Sequence, residues 1–150
     1  MNNDIDSTAE QLMHLMDRMR QLHSGAAPPQ EAKISPSQLS LIAYTAANPG
    51  CGVRNMAVTL KLATPTVSIS VRQLEKAGFM ERHPDPRDGR AVQLFLTPKG
   101  EAFHQRTLEF RRQKFSNLLT ELTPPERDTL LNLLEKAIHQ AEIKEHGEIK

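Results

Sequence analysis

From His83 to Gly100 the chain reads HPDPRDGRAVQLFLTPKG, with Asp85, Arg87, Asp88 and Arg90 gathered just before an apolar run. A solvated turn needs no such charge density; a site that touches something outside the protein has a use for it. Pro86 stiffens the loop, and Gly89 permits the positive φ that a hairpin tip often needs. Asp88 stands two residues before Arg90, so its carboxylate is expected to hold the guanidinium extended. An arginine pre-set in this way suits a narrow, electronegative minor groove. The structural alternative is a set of local salt bridges, Asp85 with Arg87 or Arg82, that only stabilise a hairpin.

A second group lies upstream: Thr64, Pro65, Thr66, Ser68, Ile69, Arg72 and Lys76. Placed on the outward face of one short helix, the hydroxyl residues let the helix backbone come close to a ligand and bond phosphates or base edges. The exposed N–H groups welcome a phosphate, and Ile69 can pack on a thymine methyl. No acidic residue falls between Glu31 and Glu75, whereas Lys33, Arg54, Lys61 and Arg72 do. A segment without carboxylates suits a polyanion, because each one near a phosphate opposes counterion release. It equally suits a buried segment that has no partners for acids.

The elements that would position these groups are marked by hydroxyl–proline pairs. Ser35-Pro36, Thr64-Pro65, Thr97-Pro98 and Thr123-Pro124 each place a hydroxyl at an N-cap and proline at the first helical position. Ser35 with Gln38 and Thr123 with Glu126 have capping-box spacing. The pattern predicts helices from about Ser7 to His23, from Ser35 to before NPGCG, from Val53 to Leu60, and from Thr64 to a C′ glycine at Gly78. FMERH and AVQLFL read as two short strands, the second with Val92, Leu94 and Leu96 on one face. A long helix follows Thr97, and a last one runs from Pro124 to beyond Ile143. In the middle pair, Ala57 and Leu60 face inward on one helix, and Val67, Val71 and Leu74 on the next. Two short helices joined by the tight KLA link form a helix-turn-helix pattern, or an ordinary helix pair with a polar outer face. A hairpin directly after them reads as a wing.

The helix order together with QLEKAGFMERHPDPRDGRAVQLFLTPKGE resembles the MarR family of winged helix-turn-helix transcription regulators, closely over residues 35 to 120. The resemblance places the family's wing arginine on Arg90, its supporting aspartate on Asp88, and its recognition-helix contacts on Pro65, Thr66, Ser68, Ile69 and Arg72. Two departures stand out. Many members have arginine where this chain has Ile69, and Lys61 replaces a glycine often found in the link. The fold expected is mainly α with a small β-hairpin wing. Residues 1–34 would form an N-terminal dimerisation helix and linker, 35–98 a winged helix-turn-helix DNA-binding domain, and 99–150 C-terminal dimerisation helices.

The resemblance implies a homodimer on double-stranded DNA, and a small, often aromatic or anionic effector. A repressor reading a pseudo-palindromic operator is the function expected, with Arg54, Thr64 and Arg87 beside the contacts already named. Apolar stripes support the dimer independently: Leu12, Leu15, Met16, Met19 and Leu22 on the first helix, and Leu130, Leu131, Leu134, Ile138 and Ala141 on the last. The rival function is a winged domain used for protein–protein contact without specific DNA binding.

Composition narrows the remaining classes. With 150 residues, a net charge of +1, one cysteine, 4% aromatic residues and no Trp, the chain has neither a disulfide framework nor a stacking surface. The polar start MNNDIDSTAEQ does not resemble a signal peptide, so a cytoplasmic, membrane-free protein is expected. No nucleophile elbow, phosphate-binding glycine loop or metal-ligand spacing occurs, and His139 with His146 is not read as a metal site. No enzymatic activity and no cofactor are expected. Cys51 lacks flanking basic residues and reads as a packing thiol.

Overall fold

The computed structural model describes residues 2–22 and 33–147. In chain order the elements are α1 (Asn2–Gln21), α2 (Pro36–Ala47), α3 (Val53–Thr59), α4 (Thr64–Lys76), β1 (Met80–Pro84), β2 (Val92–Leu96), α5 (Pro98–Leu119) and α6 (Pro124–Gly147). They divide into two compact units, one holding α1 with the chain from Arg112 onward, the other the chain up to Arg111. α1 begins ahead of the expected Ser7, and His23 lies outside the described residues.

The hydroxyl–proline pairs open these helices by different bonds. At α2 the full box forms: Gln38 N–H donates to Ser35 Oγ at 3.2 Å and Ser35 N–H to Gln38 Oε1 at 2.9 Å. At α6 only half of it forms. Thr123 N–H and its hydroxyl both donate to Glu126 Oε2, at 2.7 and 2.8 Å, so the hydroxyl serves the carboxylate and not the helix N–H. These bonds hold the Glu126 carboxyl below the usual carboxylate range, the backbone N–H being the larger cause. Thr64 is not an N-cap. That position belongs to Ala63, which offers no side-chain cap, and Thr64 is already inside α4.

The core of the winged unit joins Leu41 and Ile42 of α2, Met56 and Ala57 of α3, and Val67, Val71 and Leu74 of α4 with Phe79, Met80, Leu94 and Phe103. Spacing of i, i+4 and i+7 puts the three α4 residues on one face. Met56, not Leu60, is the fully buried anchor of α3; Leu60 lies at the helix end and is only half-buried. Burying each such side chain contributes about 1.5–3 kcal/mol. The Phe79 and Phe103 rings meet at 5.0 Å between centroids, tilted by 53°.

β1 and β2 pair antiparallel, from Met80 opposite Leu96 to Pro84 opposite Val92. Leu94 is buried and Leu96 half-buried, but Val92 is exposed because the hairpin has left the core by then. The segment after α2 adds a bridge: Gly50 N–H donates to Leu94 O at 2.8 Å, and Leu94 N–H to Cys51 O at 2.9 Å.

α3 and α4 end in the same way, on different residues. Leu62 N–H reaches back to Ala57 O at 2.9 Å and Lys61 N–H to Val58 O at 3.3 Å; Phe79 N–H reaches Leu74 O and Gly78 N–H reaches Glu75 O, both at 2.9 Å. These are two Schellman closures, each needing a left-handed C′ residue. Gly78 supplies it with φ +82°, and Lys61 supplies it with φ +54°. A non-glycine residue there costs roughly 1–2 kcal/mol, offset in part by the roughly 0.5–1 kcal/mol of extra unfolded-state entropy that glycine carries. We therefore predict that Lys61→Gly raises stability by about 0.5 kcal/mol in urea unfolding. A clear loss of stability in that variant would show that contacts of the lysine side chain outweigh the strain.

In the other unit, Lys114 donates to Arg20 O at 3.1 Å, and Arg127 caps the end of α5 through Leu119 O at 3.1 Å and Thr120 O at 3.4 Å. Leu12, Leu15 and Met16 of α1 and Leu130, Leu131, Leu134 and Ile138 of α6 remain exposed, while Met19 is half-buried.

Candidate nucleic-acid interface

α4 offers two unlike faces. Val67, Val71 and Leu74 are buried; Thr64, Pro65, Thr66, Ile69, Arg72 and Lys76 are exposed, and Ser68 is half-exposed. With no side-chain cap from Ala63, the first N–H groups of the helix are left to solvent or to an anion. Ile69 is 55% exposed, an apolar β-branched side chain that the core does not use. Arg54 lies exposed on α3. The only carboxylate on α4 is Glu75, in its last turn.

The hairpin tip is closed by Asp85 N–H to Ala91 O at 3.0 Å and Ala91 N–H to Asp88 O at 2.9 Å. Two aspartates then shape it from within. Asp85 Oδ1 accepts Arg87 N–H at 2.8 Å, and Asp88 Oδ1 accepts Arg90 N–H at 3.0 Å. The expected grip of Asp88 on the Arg90 guanidinium is therefore corrected: the carboxylate holds the backbone. A side chain two residues upstream reaches that N–H through one short local turn, with few torsions to order. Gly89 does not adopt positive φ, because these local turns bend the tip without it. Nor does Asp85 pair with Arg82, whose guanidinium is taken by Glu75. Among the described residues neither Arg87 nor Arg90 pairs with a carboxylate, and both side chains are exposed.

The hydroxyl–proline pair foretells the Thr97 cap, but the other supporting bonds carry no periodic signal in the sequence. Thr97 Oγ donates to Gly78 O and accepts Gly100 N–H at 3.0 Å. Lys99 donates to Ala77 O at 2.7 Å with its ammonium 4.6 Å from the Phe79 ring centroid, capping the end of α4. Arg82 forks onto Glu75, which raises its pKa further through that hydrogen bond. Cys51 is half-buried, and burial pushes its thiol up, so little thiolate exists at neutral pH.

This arrangement, a short helix pair followed by a charged hairpin, can be set beside known proteins. A profile described as the MarR family matches residues 32–91. The HTH-type transcriptional regulator BilQ of Clostridium symbiosum (strain WAL-14163) is 30% identical over 107 residues, 71% of this chain and 74% of that protein. The chain belongs to the MarR family. MarR proteins are transcription regulators and not enzymes. An uncharacterized HTH-type regulator of Bacillus subtilis (strain 168), YkoM, is 33% identical over 78 residues, so this MarR chain matches about half of that relative's length (51%, and 52% of its own). In fold it is similar to Streptococcus pneumoniae FabT, crystallised in complex with DNA, with a TM-score of 0.79 at 20% identity over 92% of this chain and 97% of FabT. Among the described residues no helix is long and apolar enough to cross a membrane.

Proposed function

We propose that this MarR protein binds double-stranded DNA as a homodimer and represses transcription from a pseudo-palindromic operator. In this reading α4 lies in the major groove, presenting Thr64, Pro65, Thr66, Ser68, Ile69 and Arg72. Arg90, aided by Arg87 and Asp88, enters the neighbouring minor groove, and Arg54 meets the backbone. One observation carries it: a helix face whose sole carboxylate is already paired stands next in the chain to a hairpin tip with two arginines that pair with no carboxylate among the described residues. Exposed apolar stripes on α1 and α6 support self-association, since contiguous patches of this kind are seldom left in water. Sedimentation should give twice the mass of one chain.

The deciding experiment is affinity for random duplex DNA as a function of salt. Arg54, Arg72, Arg87 and Arg90 on two protomers should give a slope of log K against log salt of about −7. A winged module used only for protein contact should show a slope near zero.

Ile69 leads to a finer prediction. With an isoleucine in the groove, specificity rests on thymine methyls and shape more than on arginine–guanine pairs. Replacing thymine by uracil should cost about 1 kcal/mol at one symmetric position of each half-site, and Ile69→Ala should abolish that difference. Uracil substitution that is silent at every position would make Arg72 the base reader.

A small effector has a candidate place within the winged unit. A cavity of about 250 Å³ between α2 and α5 is walled by Leu39, Ile42 and Phe103, with His104 and Arg111 as its charged or titratable side chains. Its size and lining suit a one-ring aromatic anion.

A further inference from the structure

Glu75 ends the carboxylate-free stretch and sits on the very helix assigned above to the major groove. Left open, its charge would oppose a phosphate backbone. Arg82 closes it with two parallel bonds, Nε to Oε1 at 2.6 Å and Nη2 to Oε2 at 2.7 Å. Fork-to-fork geometry of this kind fixes both direction and distance. The side chains are 39% and 23% exposed, for Arg82 and Glu75 respectively, so the pair is not one of the fully solvated kind that contributes little.

Where Arg82 stands on β1 gives the pair its significance. Met80 is buried, whereas Glu81 to Pro84 are exposed, so the strand leaves the core after its first residue. Arg82 shares the face of Met80 and lies opposite the fully buried Leu94. At the point where apolar packing stops, the fork takes over the tie between the strand and α4. Farther out, Asp85, Asp88 and Ala91 bond within the tip itself.

We infer that the Glu75–Arg82 pair is a positioning strut that sets the angle between α4 and the hairpin, so that Ile69 and Arg90 reach two grooves at once. The inference rests on the DNA-binding reading above. It makes an unusual prediction of sign. Removing a negative charge beside DNA strengthens binding to any duplex if charge alone matters. A strut predicts the opposite on a specific site.

The test uses the full chain and a duplex of about 30 bp that it selects from a random pool, long enough for two half-sites one turn apart. Affinities are measured for wild type, Glu75→Gln, Arg90→Ala and the double variant, with circular dichroism and melting as folding controls. Glu75→Gln keeps an acceptor oxygen and should fold. It should weaken the selected duplex about fivefold to tenfold while leaving random duplex unchanged or bound slightly more tightly. In the Arg90→Ala background the same change should cost less than about twofold, because the angle of a wing that no longer engages is immaterial. Arg82→Lys, which keeps the charge and loses the fork, should weaken the selected duplex as well. Full additivity with Arg90→Ala, or a Glu75→Gln protein that binds like wild type, overturns the strut alone. A wild type without salt-dependent affinity overturns the DNA reading, and the strut with it.

Discussion

Gly100→Ala should cost the winged unit about 3 kcal/mol, the upper end of the usual range for overpacking, because the atoms it meets cannot move aside. A Cβ at Gly100 would lie 2.0 Å from Phe79 O, 3.0 Å from Phe79 C and 3.3 Å from its Cα, all of them backbone. Phe79 has no room to give. Its side chain is fully buried against Phe103, and its carbonyl accepts Thr97 N–H at 3.1 Å. Backing α5 away would break that bond and the Thr97 contacts to Gly78 and Gly100 together. Against a net stability of roughly 5–15 kcal/mol, a loss of this size lowers the melting temperature by more than about 10 °C. Gly89→Ala is the internal control. Nothing lies within 4 Å of a Cβ there and its φ is not positive, so the change should stay within about 0.5 kcal/mol. A Gly100→Ala protein that melts within a few degrees of wild type would show that the approach of α5 to Phe79 is looser than drawn.

The contrast between those glycines shows what a sequence reveals of this fold. Element order was legible because its signals are local: hydroxyl–proline starts, the Val67–Val71–Leu74 period, and the alternation ending at Leu96. What each cap does was not. Ser35 bonds a helix N–H while Thr123 turns its hydroxyl to Glu126, a choice between rotamers that spacing does not record. Thr64 loses the N-cap to Ala63, whose backbone is already extended with φ −65° and ψ 134°, so the helix starts one residue earlier than the hydroxyl–proline pair predicts. Gly100 carries no local sign in the sequence that glycine is required there. Its need for glycine comes from a carbonyl many residues away, at Phe79.

The site was legible to the level of the face and not of the atom. Periodicity alone separates Ile69 and Arg72 from Val67 and Val71, and the structure exposes the former and buries the latter. Four charges on a loop, however, do not say which donor each carboxylate takes. Asp85 and Asp88 chose backbone N–H groups near in sequence, which orders fewer torsions than clamping a guanidinium. Arg82 found Glu75 across the corner between helix and strand, a pairing with no repeat to betray it. The family match covers residues 32–91, the part bearing this site, and the terminal stripes rest on their exposure alone.

Arg90→Ala should weaken binding to the selected duplex more than tenfold, a loss of over about 1.4 kcal/mol, with melting unchanged. The side chain is exposed and no carboxylate among the described residues pairs with it, so the fold loses nothing that holds it together. Its value lies in bound DNA, where a guanidinium in a narrow groove gains from concentrated negative potential. Losing one cation per protomer should also lower the magnitude of the salt slope by about 2 for the dimer. Asp88 separates two mechanisms. Its carboxylate holds the Arg90 N–H at 3.0 Å, so it acts by fixing where the arginine leaves the backbone. Asp88→Ala should therefore cost a smaller factor, about twofold to fivefold, from loosening the tip. Asp88→Asn keeps an acceptor oxygen at the same reach and should bind nearly as wild type. If asparagine fails as badly as alanine, charge and not the backbone bond is what Asp88 supplies. If Arg90→Ala binds normally, the tip does not enter the groove, and α4 alone must account for recognition.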